Sequence, residues 1–95
     1  MIRHVVFFSA KRPEDIEAIH DGLMLLAGIP AATRFEVGRN LQTDPIPGTR
    51  VDLVVYAEFA DQAALAAFKA HPLYQRSIDV VRPLRDQRIS ADFLA

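Results

Sequence analysis

The chain has 95 residues, a hydrophobic fraction of 51%, a net charge of −1 from 11 basic and 12 acidic side chains, and no cysteine. Its length suits a single domain over residues 1–95, and its charge balance excludes the basic stripe that binding to nucleic acid requires. The lack of cysteine excludes disulfides, thiolate catalysis and cysteine-ligated metal sites.

No segment has the charged start, apolar middle and small-residue cleavage site of a signal peptide. The longest apolar run is far shorter than the ~20 residues of a membrane-spanning helix. We therefore expect a cytoplasmic protein with no membrane contact. The hydrophobic fraction of 51% nevertheless exceeds the usual value for a soluble domain. This surplus predicts either a ligand cavity or an interface with a partner subunit.

The first predicted strand, residues 2–10, is rich in β-branched and aromatic side chains. Alternation predicts two faces, one with His4, Val6 and Phe8 and the other with Val5 and Phe7. Because both faces are largely apolar, we expect this strand to be central and covered on both sides.

The first predicted helix starts at Pro13, whose fixed φ suits a first helical turn. Apolar residues then recur at helical spacing until Gly28 and Pro30 end the helix. Residues 33–39 alternate between apolar and polar side chains, which predicts a half-exposed edge strand. A loop with prolines and glycine follows, over residues 41–49.

The third predicted strand, residues 50–59, is again apolar on both faces and therefore central. Asp61 is a suitable N-cap for the next helix. That helix should end at His71, because a residue before proline avoids helical backbone angles, and Pro72 should begin another. The last strand follows Pro83 and should lie at an edge, with Ile89, Ala91 and Phe93 alternating with Arg88, Ser90 and Asp92.

The resulting order, β-α-β-β-α-α-β, matches the split βαβ plan. We therefore predict an α+β fold, a ferredoxin-like protomer with a four-stranded antiparallel sheet. Within this sheet we expect one exception, namely that the two middle strands run parallel to each other. Helices on one side can cover only one face of such a sheet. The other face carries the following side chains: Val5, Phe7, Val54, Tyr56, Ile89, Ala91 and Phe93.

Pairing with a second copy would bury this second face, since a two-fold interface needs only one self-complementary patch. The prediction is therefore a homodimer through the sheet face, a dimeric α/β barrel. A monomer with a solvated sheet face is the alternative.

Several segments resemble the stress-responsive dimeric α/β-barrel (Dabb) family, in the family's order and over nearly the whole chain. They are Met1 to Phe8, Phe35 to Asn40, Glu58 to Asp61 before an alanine-rich helix, Lys69-Ala70-His71-Pro72, Arg82-Pro83-Leu84 and Asp92-Phe93. The resemblance implies a ferredoxin-like protomer and a sheet-to-sheet dimer, and most members have no assigned reaction.

One plant member of that family is a cofactor-free polyketide cyclase with a pocket between helices and sheet and a Tyr and a His as acid and base. At the matching positions this chain has Phe68 and Tyr74, so the cyclase dyad is absent as such. Leu53 stands in place of a pocket histidine, whereas His4 and His71 are retained. The resemblance thus implies a similar pocket, with these predicted ligand-binding residues: Val6, Phe8, Leu53, Phe68, His71 and Arg88.

His4 and Tyr74 are the predicted catalytic residues. A histidine on the apolar face of a central strand can orient a substrate or move a proton, or it can be a hydrogen-bonded core residue. Tyr74 has helical spacing with core residues, so it can be a packed aromatic or an acid whose hydroxyl reaches a ligand.

The other candidates have structural alternatives of the same kind. His71 can bind a ligand or cap free carbonyls at the helix end. Arg88 can hold a carboxylate or phosphate in a bidentate pair, or lie solvated at an edge. For the C-terminal arginines, including Arg76 and Arg82, a surface salt-bridged to Asp79 and Asp86 is the expectation. No metal site and no cofactor are expected.

Two functions stay open on the sequence. One is a small dimeric, stress-associated protein that binds a small apolar ligand or lacks efficient catalysis. The other is a cofactor-independent cyclase, lyase or isomerase with His4 and Tyr74 as acid and base. The geometry of the cavity distinguishes them, since an interior filled by Phe8, Phe68 and Leu23 would leave no room for a substrate.

Overall fold

In a computed structural model that describes residues 1–95, the chain forms four strands and three α-helices in the predicted order. The elements are β1 (Ile2–Ala10), α1 (Ile16–Met24), β2 (Arg34–Arg39), β3 (Leu53–Phe59), α2 (Gln62–Ala70), α3 (Pro72–Val81) and β4 (Arg85–Leu94). Short 3-10 turns, Pro13–Asp15 and Leu25–Gly28, extend α1 at its two ends.

The four strands form one sheet in the order β2-β3-β1-β4, so β1 and β3 are central and β2 and β4 are edges, as the sequence predicts. Every neighbouring pair is antiparallel. The ferredoxin-like α+β fold is thus confirmed, whereas the expectation of a parallel middle pair was wrong. The split βαβ unit places β3 between the two parallel strands β1 and β2, and β3 therefore runs against both of its neighbours.

Local signals start and stop the helices. Asp61 caps α2, because its carboxylate accepts the backbone N–H of Ala64 at 2.8 Å. His71 ends α2 with extended backbone angles and precedes Pro72, the first residue of α3. The ring Nδ1 of His71 accepts the N–H of Leu73 at 3.1 Å. His71 therefore caps amide groups at the start of α3, not the carbonyls at the end of α2 that the sequence suggested.

The hydrophobic core lies between the sheet and the helical layer. The helix-facing residues of β1 and β3 are buried, and they pack with residues of α1, α2 and α3: Ile19, Leu23, Phe68 and Val81. Asp52, just before β3, is also buried and accepts the N–H of Ala10 at 2.8 Å. This bond holds the end of β1 to β3, since a buried carboxylate must keep its hydrogen-bond partners.

The second face of the sheet is uncovered in the single chain. Phe7 is 39% exposed, Ile89 59% and Phe93 51%. Tyr56 lies on the same face and donates a hydrogen bond to the carboxylate of Glu58. This bond is the main reason that the pKa of Tyr56 lies above its ordinary value, and burial adds to the shift.

β4 reverses the usual distribution of polar and apolar side chains. Its residues Arg88, Ser90 and Asp92 are polar. They face the helices, because they pair in register with the buried residues of β1: Phe8, Val6 and His4. Its outward residues Ile89 and Phe93 are apolar.

None of the helices combines the length and the hydropathy that a membrane-spanning segment requires.

Candidate functional site

A cavity of about 300 Å³ lies between the helical layer and the β1–β4 half of the sheet. Its apolar lining comes from both layers: Val6, Phe8, Leu23, Leu26, Val55, Phe68, Ile78 and Val81. Its polar lining includes His4, Tyr74, Ser77 and Ser90. The volume is at the lower end of the range of small-molecule sites, and Phe8, Phe68 and Leu23 form its walls without filling it.

His4 is a buried polar residue in the lining of the cavity. It is 3% exposed, and its Nδ1 is hydrogen-bonded to the carboxylate of Asp92, its register partner on β4. Its other ring nitrogen, Nε2, has no hydrogen-bond partner in the chain and is not fully buried. Nε2 is therefore open to the cavity. A carboxylate on Nδ1 fixes the ring orientation and favours the tautomer in which Nε2 accepts a proton.

A row of aromatic rings connects His4 to Tyr74. The His4 ring lies edge-on to Phe59 at 6.1 Å, Phe59 to Phe68 at 5.0 Å, and Phe68 to Tyr74 at 5.6 Å. The Tyr74 hydroxyl has no hydrogen-bond partner in the chain and is free to donate to a ligand. His4 and Tyr74 thus line the same cavity, with two phenylalanine rings between them in this row.

The packing of α1 on α3 closes one side of the cavity. The Ser77 hydroxyl donates to the Gly22 carbonyl at 2.8 Å. A Cβ atom at Gly22 would lie 2.8 Å from Val80 Cγ1 and 2.9 Å from Val81 Cγ2. Glycine is therefore required here for the close approach of the two helices, which holds α3 over the sheet.

Four cationic side chains surround the cavity: Lys69, Arg82, Arg85 and Arg88. The register shifts where Phe8 and Ala10 of β1 pair with Arg88 and Arg85 of β4, because β4 has one extra residue there. Arg85 and Arg88 therefore lie on the same side of the sheet and both line the cavity. None of the six ion pairs of the chain includes these four residues or Arg76.

The expectation of a salt-bridged C-terminal region was therefore wrong. The carboxylate of Asp79 accepts a hydrogen bond from Gln75 at 2.9 Å, one turn away on α3. Asp86 faces away from the cavity, towards the loop that precedes β3, beside Gly48 and Arg50. The sequence placed acids near the arginines along the chain, but the helix and strand periodicities turn them to other sides.

The structure brings six of the eight predicted site residues to the cavity: His4, Val6, Phe8, Phe68, Tyr74 and Arg88. The other two lie outside its lining. Leu53 is fully buried in the core, where it pairs with Phe8 of β1. His71 caps α3.

Sequence reasoning missed Asp92, Ser77 and the cations Lys69, Arg82 and Arg85 as parts of one site. For Asp92 a signal was present, because it alternates with Arg88 and Ser90 on one side of β4. No group of three or more His, Asp or Glu side chains is arranged to hold a metal ion.

Solved structures with the same fold cover nearly the entire chain. A dimeric ferredoxin-like protein from a Jannaschia species has a TM-score of 0.84 at 22% identity, over 99% of this chain and 98% of that one. A Dabb family protein from Mesorhizobium loti has a TM-score of 0.80 at 27% identity, over 99% and 95%. SnoaB, a cofactor-independent oxygenase from Streptomyces nogalater, has a TM-score of 0.71 at 20% identity, over 99% and 91%.

Among curated proteins, none matches this sequence. The Jannaschia protein and SnoaB, at 22% and 20% identity, establish the fold alone. The family model of the stress-responsive A/B barrel domain matches residues 2–95. The chain therefore belongs to the stress-responsive A/B barrel (Dabb) family.

Proposed function

We propose that this chain is a small homodimeric domain, spanning residues 1–95, that binds a small and largely apolar molecule in the cavity between its helices and its sheet. The observation that carries the proposal is the cavity of about 300 Å³, which has an apolar lining and a few convergent polar groups. A cavity of this volume can hold a small molecule, which supports a binding role.

The uncovered apolar residues of the outer sheet face support the dimeric part of the proposal. The exposed apolar residues of that face lie on β1 and β4, and the half-buried Val54 and Tyr56 lie next to them on β3. Arg3 on the same face stacks over Phe93 at 5.9 Å, and its Nε has no hydrogen-bond partner within the chain. Proteins of the same fold are described as dimeric. Roles in the cytoplasm and in stress responses stay predictions.

Blocking the cavity tests the binding role. Ile78 lines the cavity from α3, so Ile78→Trp should fill it and lower the affinity for any cavity ligand at least tenfold. Gln75→Trp, at an exposed position of the same helix, is the matched control and should bind as the unchanged protein does. Ligands would be found by NMR screening of a library of apolar carbonyl compounds. Equal binding by both variants would contradict the proposed site.

The arrangement of His4 supports a second candidate, a cofactor-independent enzyme that removes a proton beside a carbonyl group. His4 Nε2 would accept the proton, Asp92 would hold the ring and stabilise the imidazolium, and the Tyr74 hydroxyl would donate to the enolate oxygen. Such proton transfers contribute about 10²–10⁴-fold to a rate. The free Nε2 in the cavity, with Nδ1 bound to a carboxylate, is the observation that favours this candidate.

Deuterium exchange tests this chemistry without a known substrate. In heavy water, exchange at the carbons beside the carbonyl of 2-octanone can be followed by NMR. The protein should accelerate it, and His4→Gln should abolish the acceleration. The matched control is His20→Gln, because His20 also lies beside an aspartate, Asp21 at 3.4 Å, but outside the cavity. No acceleration by the unchanged protein would remove this candidate and leave the binding role untouched.

A further inference from the structure

The cations around the cavity differ from most other arginines of the chain. Arg12, Arg34, Arg39 and Arg50 each bind a carboxylate, at 2.6–3.0 Å. The side chains of Lys69, Arg82, Arg85 and Arg88 make neither an ion pair nor a hydrogen bond within the chain. They come from three parts of the chain: the end of α2, the residue after α3, and β4. The chain has 12 acidic residues, so the cations are unpaired by placement and not by shortage of acids.

No acidic side chain in the lining offsets this charge. The nearest carboxylate on the helix-facing side of β4 is Asp92, and it is bound to His4. A cluster of one sign beside low-dielectric walls concentrates its field in the cavity and attracts ions of the opposite sign. The positive charge therefore favours an anionic group at this side of the cavity.

The lining next to these cations is apolar. Val6 and Phe8 of β1 present hydrocarbon surface to the same space, as do Leu23 of α1 and Leu26 of the 3-10 turn after it, which together are called the first helical segment. Lys69, Arg82 and Arg88 are exposed and Arg85 is half-buried, so the cations lie where the cavity meets the solvent. A molecule with an apolar body and an anionic group would contact both parts of the lining.

We propose that the cavity binds an amphipathic organic carboxylate, with its hydrocarbon body against β1 and the first helical segment and its carboxylate among Lys69, Arg82, Arg85 and Arg88. The planar guanidinium group matches a carboxylate with two parallel hydrogen bonds, which is why arginines favour this head group. This inference rests on the proposed binding function and assigns the chemical class of its ligand.

Isothermal titration with three ligands that share an eight-carbon body tests the inference: octanoate, octan-1-ol and octylammonium. Octanoate should bind at least about tenfold more tightly than octan-1-ol, since hydrogen bonds to charged groups contribute more than neutral ones. Octylammonium should bind more weakly than the alcohol. Raising the salt from about 0.05 M to about 0.5 M should reduce the advantage of octanoate, because salt screens charges near the surface.

Single substitutions locate the effect. Arg88→Gln and Arg82→Gln should each lower the octanoate affinity about three- to tenfold and leave octan-1-ol unchanged. Arg76→Gln is the matched control, since Arg76 is an exposed, unpaired arginine of α3 outside the cavity lining. Circular dichroism during heating verifies that each variant is folded.

The outcomes separate this inference from the function it rests on. If octan-1-ol binds as tightly as octanoate, or octylammonium binds most tightly, the carboxylate assignment is wrong while the cavity remains a binding site. If Arg76→Gln weakens octanoate as much as Arg88→Gln does, the anion binds the surface and the inference also fails. If none of the three ligands binds, the proposed binding function fails with it.

Discussion

The two faces of the sheet are built from the same strands but meet different surroundings. On the helical face of β1, His4, Val6 and Phe8 are buried, whereas Phe7 on the outer face is exposed. On β4 the pattern is reversed, with polar residues towards the helices and Ile89 and Phe93 outwards. A strand places apolar side chains towards the layer that removes them from water. The comparison shows that β4 places apolar side chains on the uncovered face of the sheet and polar side chains on the helical face.

The largest expected effect distinguishes the core between the helices and the sheet from the outer face of the sheet. Phe68 is fully buried among Phe59 and Tyr74, so Phe68→Ala should lower the free energy of unfolding by about 3–5 kcal/mol. Phe93→Ala should change it by less than about 1 kcal/mol in dilute solution, because half of that side chain is exposed in the single chain. Chemical denaturation followed by circular dichroism measures both. Equal losses would show that the two faces do not differ in this way.

A buried charge on the outer face tests whether a second copy covers it. Phe7→Glu should raise the dissociation constant of the dimer roughly 100-fold, by about 3 kcal/mol, because each protomer would bury an unpaired carboxylate. Met24→Glu is the matched control, since Met24 is 43% exposed on α1, close to the 39% of Phe7. Sedimentation velocity over a range of concentrations measures the assembly.

The same measurement on the unchanged protein can contradict the dimer outright. A chain that sediments as a monomer at every concentration would leave the outer face solvated. A Phe7→Glu variant that assembles as Met24→Glu does would show that the second copy, if present, binds elsewhere.

A smaller effect is expected from substitutions at two glycines, one in the contact between α1 and α3 and the other on the outer face of the sheet. Gly22→Ala should destabilise the protein by about 1–2 kcal/mol, because the new methyl group would meet Val80 and Val81 at less than 3 Å. Gly38 lies on the outer side of the edge strand β2, and a methyl group added there would meet no atom within 4 Å. Gly38→Ala should therefore stabilise the strand by about 0.5 kcal/mol. Thermal unfolding shows whether each variant is less or more stable than the unchanged protein. A Gly22→Ala variant as stable as the unchanged protein would contradict the close helix contact.

The smallest effect concerns the pKa of Tyr56, which lies on the outer face of the sheet. The hydrogen bond from Tyr56 to Glu58 raises the pKa of Tyr56. The folded chain holds that proton more tightly than the unfolded chain does. The resulting stability is complete below the ordinary tyrosine pKa of about 10 and is lost as the pH rises through the higher folded value.

Ultraviolet absorbance of tyrosinate measures this shift in a Tyr74→Phe background, where Tyr56 is the remaining tyrosine. Glu58→Gln should return the pKa of Tyr56 towards its ordinary value. Dimerisation should raise it further at high protein concentration, because burial disfavours the charged form. A pKa that is independent of both Glu58 and concentration would contradict the arrangement of this face.

Much of the fold could be predicted from the sequence because its signals are local. Proline and capping residues such as Pro13, Asp61 and Pro72 define where helices begin, and strand alternation assigns His4 and Phe7 to opposite faces. The direction of the middle strands was mispredicted, since chain connectivity and not local pattern determines it. The pairing of the C-terminal arginines was mispredicted because closeness along the chain does not give the direction of a side chain.

By itself the sequence determined the order of the elements, the central and edge strands and the apolar outer face, because strands and helices repeat every two and 3.6 residues along the chain. Only the tertiary structure decided that His4 meets Asp92, 88 positions away, and that four cations from three elements surround one cavity without a counter-charge. Such contacts depend on strand register and helix placement. These are fixed by the packing of distant segments and not by any local pattern.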